Sequence, residues 1–308
     1  MSIIIRIFAK EIDCDLYMKE IISILRPLQW TKNLFVFAPI FFSGNLFNKD
    51  VWPAGLLIFF SFCFISSSIY CLNDICDAEL DQLHPQKCKR PIAAGIISKK
   101  IGYVMMFVCM CFSFTILVLL EREKLSDLLF VVFLYWFQNF FYCIKLKQFA
   151  VIDVSIIAIG FVLRVLAGGL ATGIMISEWL VLLTFLISIF LALGKRSNDF
   201  RYFEKTGEKP RVSITGYNSE FINTATAIVV SVTLVCYIMY TLSEDVIARM
   251  GKYLYLTSGW ALVGFLRYLQ RMIVYDSCES PTKVLFEDRA IQLCICGWFL
   301  SFIVILYF

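Results

Sequence analysis

Charge and histidine are what this chain has least of. Only 17% of its 308 residues are Asp, Glu, Lys or Arg and a single one is histidine, so neither a well-solvated soluble surface nor a histidine-built zinc centre is expected. Cys76, His84 and Cys88 stand close in sequence but lack paired zinc-ligand spacing. No GxxxxGK[ST], HExxH, GxSxG or kinase-type set occurs. Low-complexity stretches and a soluble domain are absent as well. A cleavable leader is not expected, because Arg6, Lys10, Glu11, Asp13, Asp15, Lys19, Glu20 and Arg26 are scattered through the first 32 residues. The net charge of +4 is too small for nucleic acid and suits anionic lipids or phosphorylated substrates.

What is present is apolar. Sixty per cent hydrophobic residues and a mean hydropathy of +0.78 predict an all-α, polytopic membrane protein. Nine stretches approach the roughly 20 apolar residues a spanning helix needs: 33–48, 52–72, 101–121, 125–143, 151–174, 177–194, 220–242, 253–275 and 290–308. Pro39, Gly44 and Asn45 interrupt the first of them. Residues 1–32 read either as an interfacial amphipathic helix with apolar positions on the lipid leaflet or as a solvated arm; residues 33–308 form the transmembrane domain. Most of the twelve cysteines, such as Cys63, Cys109 and Cys294, lie in these spans, where a thiol packs as a small hydrophobe.

With the N-terminus inside, the inner segments hold nearly all Lys and Arg, whereas the outer loops hold only Lys49, Arg122, Lys124, Arg249 and Lys252. The positive-inside rule then places the stretch Asn73-Asp74-Ile75-Cys76-Asp77-Ala78-Glu79-Leu80-Asp81 on the cytoplasmic face. If the second span continues as a helix through it, Asp74, Asp77 and Asp81 fall within roughly a 60° arc. Like charges so close repel unless a cation neutralises them, and Mg²⁺ takes such oxygens together with substrate phosphates. A solvated acidic helix end is the simpler alternative. Lys87, Lys89 and Arg90 follow within ten residues and supply cations for phosphate oxygens that a metal leaves uncovered.

Other polar groups mark the same boundary. Arg26-Pro27-Leu28-Gln29-Trp30-Thr31-Lys32-Asn33 reads as an interfacial anchor, with Gln29, Lys32 and Asn33 also able to bring donors to phosphate. Lys145 and Lys147 join spans four and five. Asp153 and Arg164 follow in span five, 11 residues apart, on one side of a helix and about 16 Å apart along it. Arg164 either pairs structurally or holds a phosphate. A second inner loop is expected to begin at Gly194-Lys195-Arg196 and to contain a solitary Asp199; Lys195 and Arg196 are its phosphate-binding candidates.

These features together resemble the UbiA-type superfamily of intramembrane prenyltransferases. A narrower resemblance is to its decaprenyl-phosphate phosphoribosyltransferase branch. The matching stretches are Arg26-Pro27-x-Gln29-Trp30-x-Lys32-Asn33, His84-Pro85-x-Lys87-x-x-Arg90-Pro91, Val151-Ile152-Asp153-Val154 with Gly160 to Arg164, Leu193-Gly194-Lys195-Arg196, and Pro281-Thr282 with Asp288-Arg289. The resemblance implies helices around a central cavity under cytosolic cap loops. It implies Mg²⁺ on Asp74, Asp77 and Asp81, with Asn73 and the nearby basic residues around the pyrophosphate and 5-phosphate. The implied partners are phosphoribosyl pyrophosphate and a polyprenyl phosphate in an inner (plasma) membrane, in cell-wall precursor biosynthesis; monomer and homo-oligomer both stay open.

A departure matters here. The superfamily usually repeats its aspartate motif after span six, whereas this chain has Gly194-Lys195-Arg196 and Asp199. The expected reaction is therefore Mg-dependent phosphoribosyl transfer to the lipid phosphate. An aromatic polyprenyltransferase using an allylic diphosphate is the alternative of the same fold, and a transporter lined by Arg164 and Glu178 the alternative of another class.

Overall fold

The computed structural model describes residues 17–83, 87–207, 211–275, 284 and 287–307. Arg6, Lys10, Glu11, Asp13, Asp15, His84, Pro85, Pro281 and Thr282, all named above, lie outside these. Every regular element among the described residues is helical. Residues 17–25 are helical, and Pro27–Phe37 form a 3-10 helix. The α-helices are α1 Ala38–Phe42, α2 Trp52–Gln82, α3 Lys99–Leu117, α4 Arg122–Ile144, α5 Ile152–Thr172, α6 Glu178–Thr206, α7 Ser219–Leu242, α8 Glu244–Met250, α9 Ser258–Ile273 and α10 Arg289–Tyr307.

Seven of the described helical segments are long and apolar enough to cross a membrane, against the nine stretches read from hydropathy. The first expected span is not one continuous helix. Pro27 opens a 3-10 helix, Pro39 restarts the chain as the five-residue α1, and Gly44 at φ 80° ends it. The stretch 253–275 becomes a 3-10 turn and the 16-residue α9, which reaches about 24 Å where a bilayer core measures about 30 Å.

Two helices outrun their expected ends. After Gly55, α2 meets no Gly or Pro before Gln82, so its 31 residues extend about 46 Å and carry the acidic stretch as helix. Helix α6 continues through Gly194 for 29 residues and stops only at Gly207, whose φ of 72° accommodates a left-handed cap with its N–H on Phe203 O. Lys195, Arg196 and Asp199 are therefore helical, where a loop was expected.

The chain divides into two compact units. The first comprises residues up to Lys145 with Leu163–Met175. Its core is built on α2, where Val36, Ile58, Phe62, Ile65, Leu128, Val132, Tyr135 and Leu163 cluster. Small residues let its segments close up. Ser61 Oγ meets Ser113 Oγ at 2.9 Å, Ser67 Oγ donates to Leu25 O, and Ser68 accepts from Trp136 Nε1. Gly168 lies so close to the 3-10 helix that a Cβ there would stand 1.9 Å from Val36 O. Within 17–25, Ile24 is fully buried and Ile21 and Leu25 pack beside it against Cys71, Ile75 and Ala78. This face lies on protein, while Met18 and Ile22 stay exposed.

The 3-10 helix explains a periodicity of three. Trp30, Asn33 and Val36 eclipse one another on the side facing α2: Trp30 Nε1 donates to Ser67 Oγ at 3.0 Å, Asn33 Nδ2 to Cys63 Sγ at 3.5 Å, and Val36 is buried.

The second unit comprises Leu146–Val162 with Ile176–Phe308. Phe190, Val230, Tyr268, Met272 and Ile291 form one core, and Val154, Leu193, Tyr217 and Ile222 another. Asp288 caps α10 by accepting from Ala290 N and Ile291 N, and it takes Arg267 Nε and Nη2 at 3.0 and 2.8 Å. Glu178, the acid of the transport alternative, lies exposed in the first turn of α6, where a helix dipole favours it.

Gly168→Ala should cost about 3 kcal/mol, read as lower thermal stability in detergent, whereas Gly259→Ala, with nothing within 4 Å of the added carbon, should be neutral or slightly stabilising. Burial pushes the Asp288 carboxyl up, but hydrogen bonds from Arg267 and two backbone N–H groups outweigh it and leave the group below the usual carboxylate range. Its contribution is then present above an unfolded-state pKa of about 4 and is lost as pH falls through the lower folded value. Melting temperature should drop as pH is lowered below about 4, and Asp288→Asn, which keeps a cap but not the charge, should flatten that part of the profile.

Candidate active site

The overhanging end of α2 presents the acidic stretch. Asp74 and Asp81 are buried and Asp77 is half-buried. Arg90, just past the 3-10 turn Lys87–Lys89, donates Nη1 to Asp81 Oδ2 at 2.6 Å and to Asp74 Oδ1 at 3.3 Å. Arg26 Nη2 also contacts Asp74 Oδ1. Arg26 precedes Pro27, which disfavours the right-handed helical region for it. It adopts φ 51°, ψ 59°, a left-handed break that delivers its guanidinium to Asp74 and over the Tyr70 ring at 5.2 Å. Arg26 stands in the sequence as an interfacial anchor and as part of a family-like stretch, without a role of its own; its place before a proline at a span boundary is the signal for one.

Two guanidiniums thus neutralise the repulsion expected among the acids. Among the described residues no three His, Cys, Asp or Glu side chains are gathered closely enough to hold a metal ion. The chemistry of the donor set still suits magnesium, because Asp74, Asp77 and Asp81 offer only hard oxygens and this ion commonly takes one or two carboxylates along with phosphate and water. Asn73 is half-buried and accepts from Cys143 Sγ at 3.8 Å. Lys87 is half-buried near Arg90, Gln29 half-buried on the 3-10 helix, and Lys32 and Lys145 are exposed.

Asn33 and Arg164 meet each other away from the acids. Arg164 Nε donates to Asn33 Oδ1 at 2.8 Å and Nη2 to Tyr135 OH at 2.7 Å, with the guanidinium 4.7 Å from the Tyr135 ring centroid. Ser66 Oγ also donates to Asn33 Oδ1 at 3.2 Å. Asn33 is wholly enclosed, so it acts within unit one rather than at its mouth. Eight residues of α2 separate Ser66 from Asp74, about 12 Å.

Asp153 and Arg196 form a second buried centre, inside unit two. Both are 0% exposed, and Arg196 Nε donates to Asp153 Oδ2 at 2.6 Å. Ser213 Oγ donates to the same oxygen at 3.1 Å, and Tyr217 OH to Asp153 Oδ1 at 2.6 Å. Tyr217 OH in turn accepts from Val151 N at 2.8 Å. Val151 is β-branched yet holds φ 69°, a strained conformation that persists only where surroundings impose it. Burial pushes the Tyr217 phenol up, and the carboxylate beside it adds to the shift, so it stays a donor through neutral pH. Arg196 Nη1 and Arg211 Nε both reach Asp199 Oδ2, at 3.2 and 3.0 Å. Ser213 and Tyr217 were not among the expected site residues, since nothing local marks a loop hydroxyl as the partner of an acid 60 residues away. Lys195, next to Arg196, lies on the exposed side of α6.

A multi-pass helical protein with carboxylates and guanidiniums gathered at the end of a spanning helix has the construction of a membrane-embedded transferase. The description of the matching family model is "UbiA prenyltransferase family", over residues 36–287, and the chain belongs to that family. It is 30% identical over 288 residues to the decaprenyl-phosphate phosphoribosyltransferase of Mycolicibacterium smegmatis, covering 90% of this chain and 89% of that one. To the protein of the same name from Corynebacterium glutamicum it is 32% identical over 293 residues, 93% and 86% of the two chains. A UbiA homolog from Archaeoglobus fulgidus bound to GPP and Mg²⁺ is similar in structure, with a TM-score of 0.67, 16% identity, and 94% of this chain and 100% of that one covered. At that identity the likeness shows the fold.

Removing the Tyr217 hydroxyl leaves the Val151 N–H and the buried Asp153 Oδ1 each one partner short. Tyr217→Phe should therefore destabilise by about 2–3 kcal/mol, more than Ser213→Ala, which removes only one hydrogen bond to an Asp153 Oδ2 that keeps Arg196 Nε; thermal unfolding in detergent compares the two.

Proposed function

We propose that this chain transfers a 5-phosphoribosyl group from phosphoribosyl pyrophosphate to a polyprenyl phosphate and releases pyrophosphate. The observation that carries the reading is the convergence of Arg26 and Arg90 on Asp74 and Asp81 at the end of α2. Such a cluster suits a metal-bound pyrophosphate: Asp74 and Asp81, with Asp77 beside them, would hold the metal, and Arg26 and Arg90, which now face those carboxylates, would take the phosphate oxygens. No charge is left uncompensated on either side. Magnesium, when held there, supplies charge neutralisation for the pyrophosphate leaving group.

The residues of the chain do the remaining work by position. Arg26, Arg90 and Lys87 hold the pyrophosphate so that its bond to the anomeric carbon breaks with charge accumulating on oxygens they already face. An oxygen of the lipid phosphate forms the new bond at that carbon. This acceptor is an anion from the start, so no general base is required, and catalysis rests on orientation and leaving-group stabilisation. The Asp153 and Arg196 pair is proposed to position the segment Arg211 to Tyr217 rather than to touch substrate. Asp199, engaged by Arg196 and Arg211, supports one metal-bound diphosphate over two. The names of the relatives support the donor and acceptor classes, and the excess of Lys and Arg near the acidic stretch supports a cytoplasmic site in an inner membrane.

The test uses purified protein in detergent with Mg²⁺. Radiolabelled phosphoribosyl pyrophosphate with polyprenyl phosphate should put label into the lipid fraction. EDTA should abolish this, and Asp77→Asn should lower it about 100-fold. A prenylated product from allylic diphosphate and a hydroxybenzoate, without lipid labelling, would overturn the proposal.

A further inference from the structure

The two guanidiniums at the acidic end of α2 stand in unequal company. Arg90 Nη1 reaches two carboxylates, Asp81 at 2.6 Å and Asp74 at 3.3 Å. Among the described residues Arg26 pairs with one carboxylate, Asp74, and its Cζ lies over the Tyr70 ring, 5.2 Å from the centroid. Tyr70 and Asp74 are four residues apart on α2, so ring and carboxylate occupy neighbouring turns of one helix face. A single guanidinium spans both.

The backbone on either side of Arg26 is anchored to the same helix. Ile24 is fully buried and clusters with Cys71 and Ile75, which flank Tyr70 and Asp74 in sequence. Ser67 Oγ clamps the chain before and after the arginine, donating to Leu25 O at 2.8 Å and accepting from Trp30 Nε1 at 3.0 Å. Pro27 fixes the next φ. These contacts place the Arg26 Cα and leave its long side chain to be aimed by Tyr70 and Asp74.

The reaction proposed above puts a metal on Asp74, which withdraws that carboxylate from Arg26. The ring stays where it is. An aromatic face attracts a guanidinium within about 6 Å through its quadrupole, and because the ring carries no net charge it leaves the cation its full attraction for phosphate oxygens. We infer that Tyr70 is a positioning residue, whose ring keeps the Arg26 guanidinium beside Asp74 when the metal-bound pyrophosphate of the donor takes over that carboxylate. The inference rests on the proposed reaction. Tyr70 acts through Arg26 and not on the reacting atoms.

The experiment measures kcat/KM for phosphoribosyl pyrophosphate by lipid labelling, with Mg²⁺ and polyprenyl phosphate saturating. Tyr70→Leu and Tyr70→Met remove the ring with two different packings, and each should lower kcat/KM about 3- to 30-fold. Tyr70→Phe returns the ring and should bring the value back to within about twofold of wild type. Placed on top of Arg26→Ala, the loss of the ring should have no further effect, because the two residues act as one unit. A ring that only fills space would carry its full penalty into the Arg26→Ala background, and a substrate contact through the hydroxyl would make Tyr70→Phe as poor as Tyr70→Leu. Either result, or no fall in the ring-free variants, overturns the assignment while wild-type labelling leaves the reaction standing. Wild type that transfers no phosphoribosyl group would overturn the reaction and the assignment together.

Discussion

An arginine carried into an apolar helix bundle must find its counter-charge or acceptors in another segment, and three clusters of this kind organise the chain. Arg26 and Arg90 close on Asp74 and Asp81; Arg164 closes on Asn33 and Tyr135; Arg196 closes on Asp153. The partners lie between 9 and 131 residues apart, so each cluster fixes a tertiary neighbour that apolar packing alone would leave interchangeable. Breaking a buried pair by removing one partner typically costs about 3–5 kcal/mol. The pairs accordingly specify arrangement more than they add net stability.

The same economy places chemistry at one point. Asp74 shares its carboxylate between the guanidiniums of Arg26 and Arg90, and Arg90 also reaches Asp81. In the proposed reaction, such a charge-balanced site would take a metal diphosphate by exchange of partners. The Asp153 pair differs in kind, for it is wholly enclosed and its four neighbours belong to the chain itself. It holds a strained turn at Val151 and the segment after Arg211.

Much of this was legible beforehand because it depends on spacing along one helix. Asp74, Asp77 and Asp81 align at i, i+3 and i+7, and the absence of a breaker before Gln82 made their helix continue. Arg164 stood out as a charge deep in an apolar run. The misplacements have physical reasons too. Hydropathy marks the apolar core of a helix but not its overhang, so it assigns the stretch from Lys195 to a loop that α6 absorbs. Hydropathy also cannot distinguish an α-helix from a 3-10 segment broken by Pro39, which is how 33–48 came to be counted as a span. Partner choice was the least legible. Asp153 and Arg196 were both visible as charges, but the 43 residues between them hide that they neutralise each other.

The 3-10 segment has a geometric property that its contacts reveal. Trp30 meets Ser67 and Asn33 meets Cys63, three steps on one helix against four on the other. At about 2.0 Å per residue for the first form and 1.5 Å for the second, both advance about 6 Å, so the two unlike helices are commensurate. Phe37 stacking on Phe59 at 5.3 Å keeps the two segments antiparallel beyond these contacts. An α-helical Pro27–Phe37 would fall behind by about 1.5 Å per contact and bring Arg26 and Asn33 out of step with Asp74 and Ser66. The tighter winding thus acts as a vernier between two polar clusters.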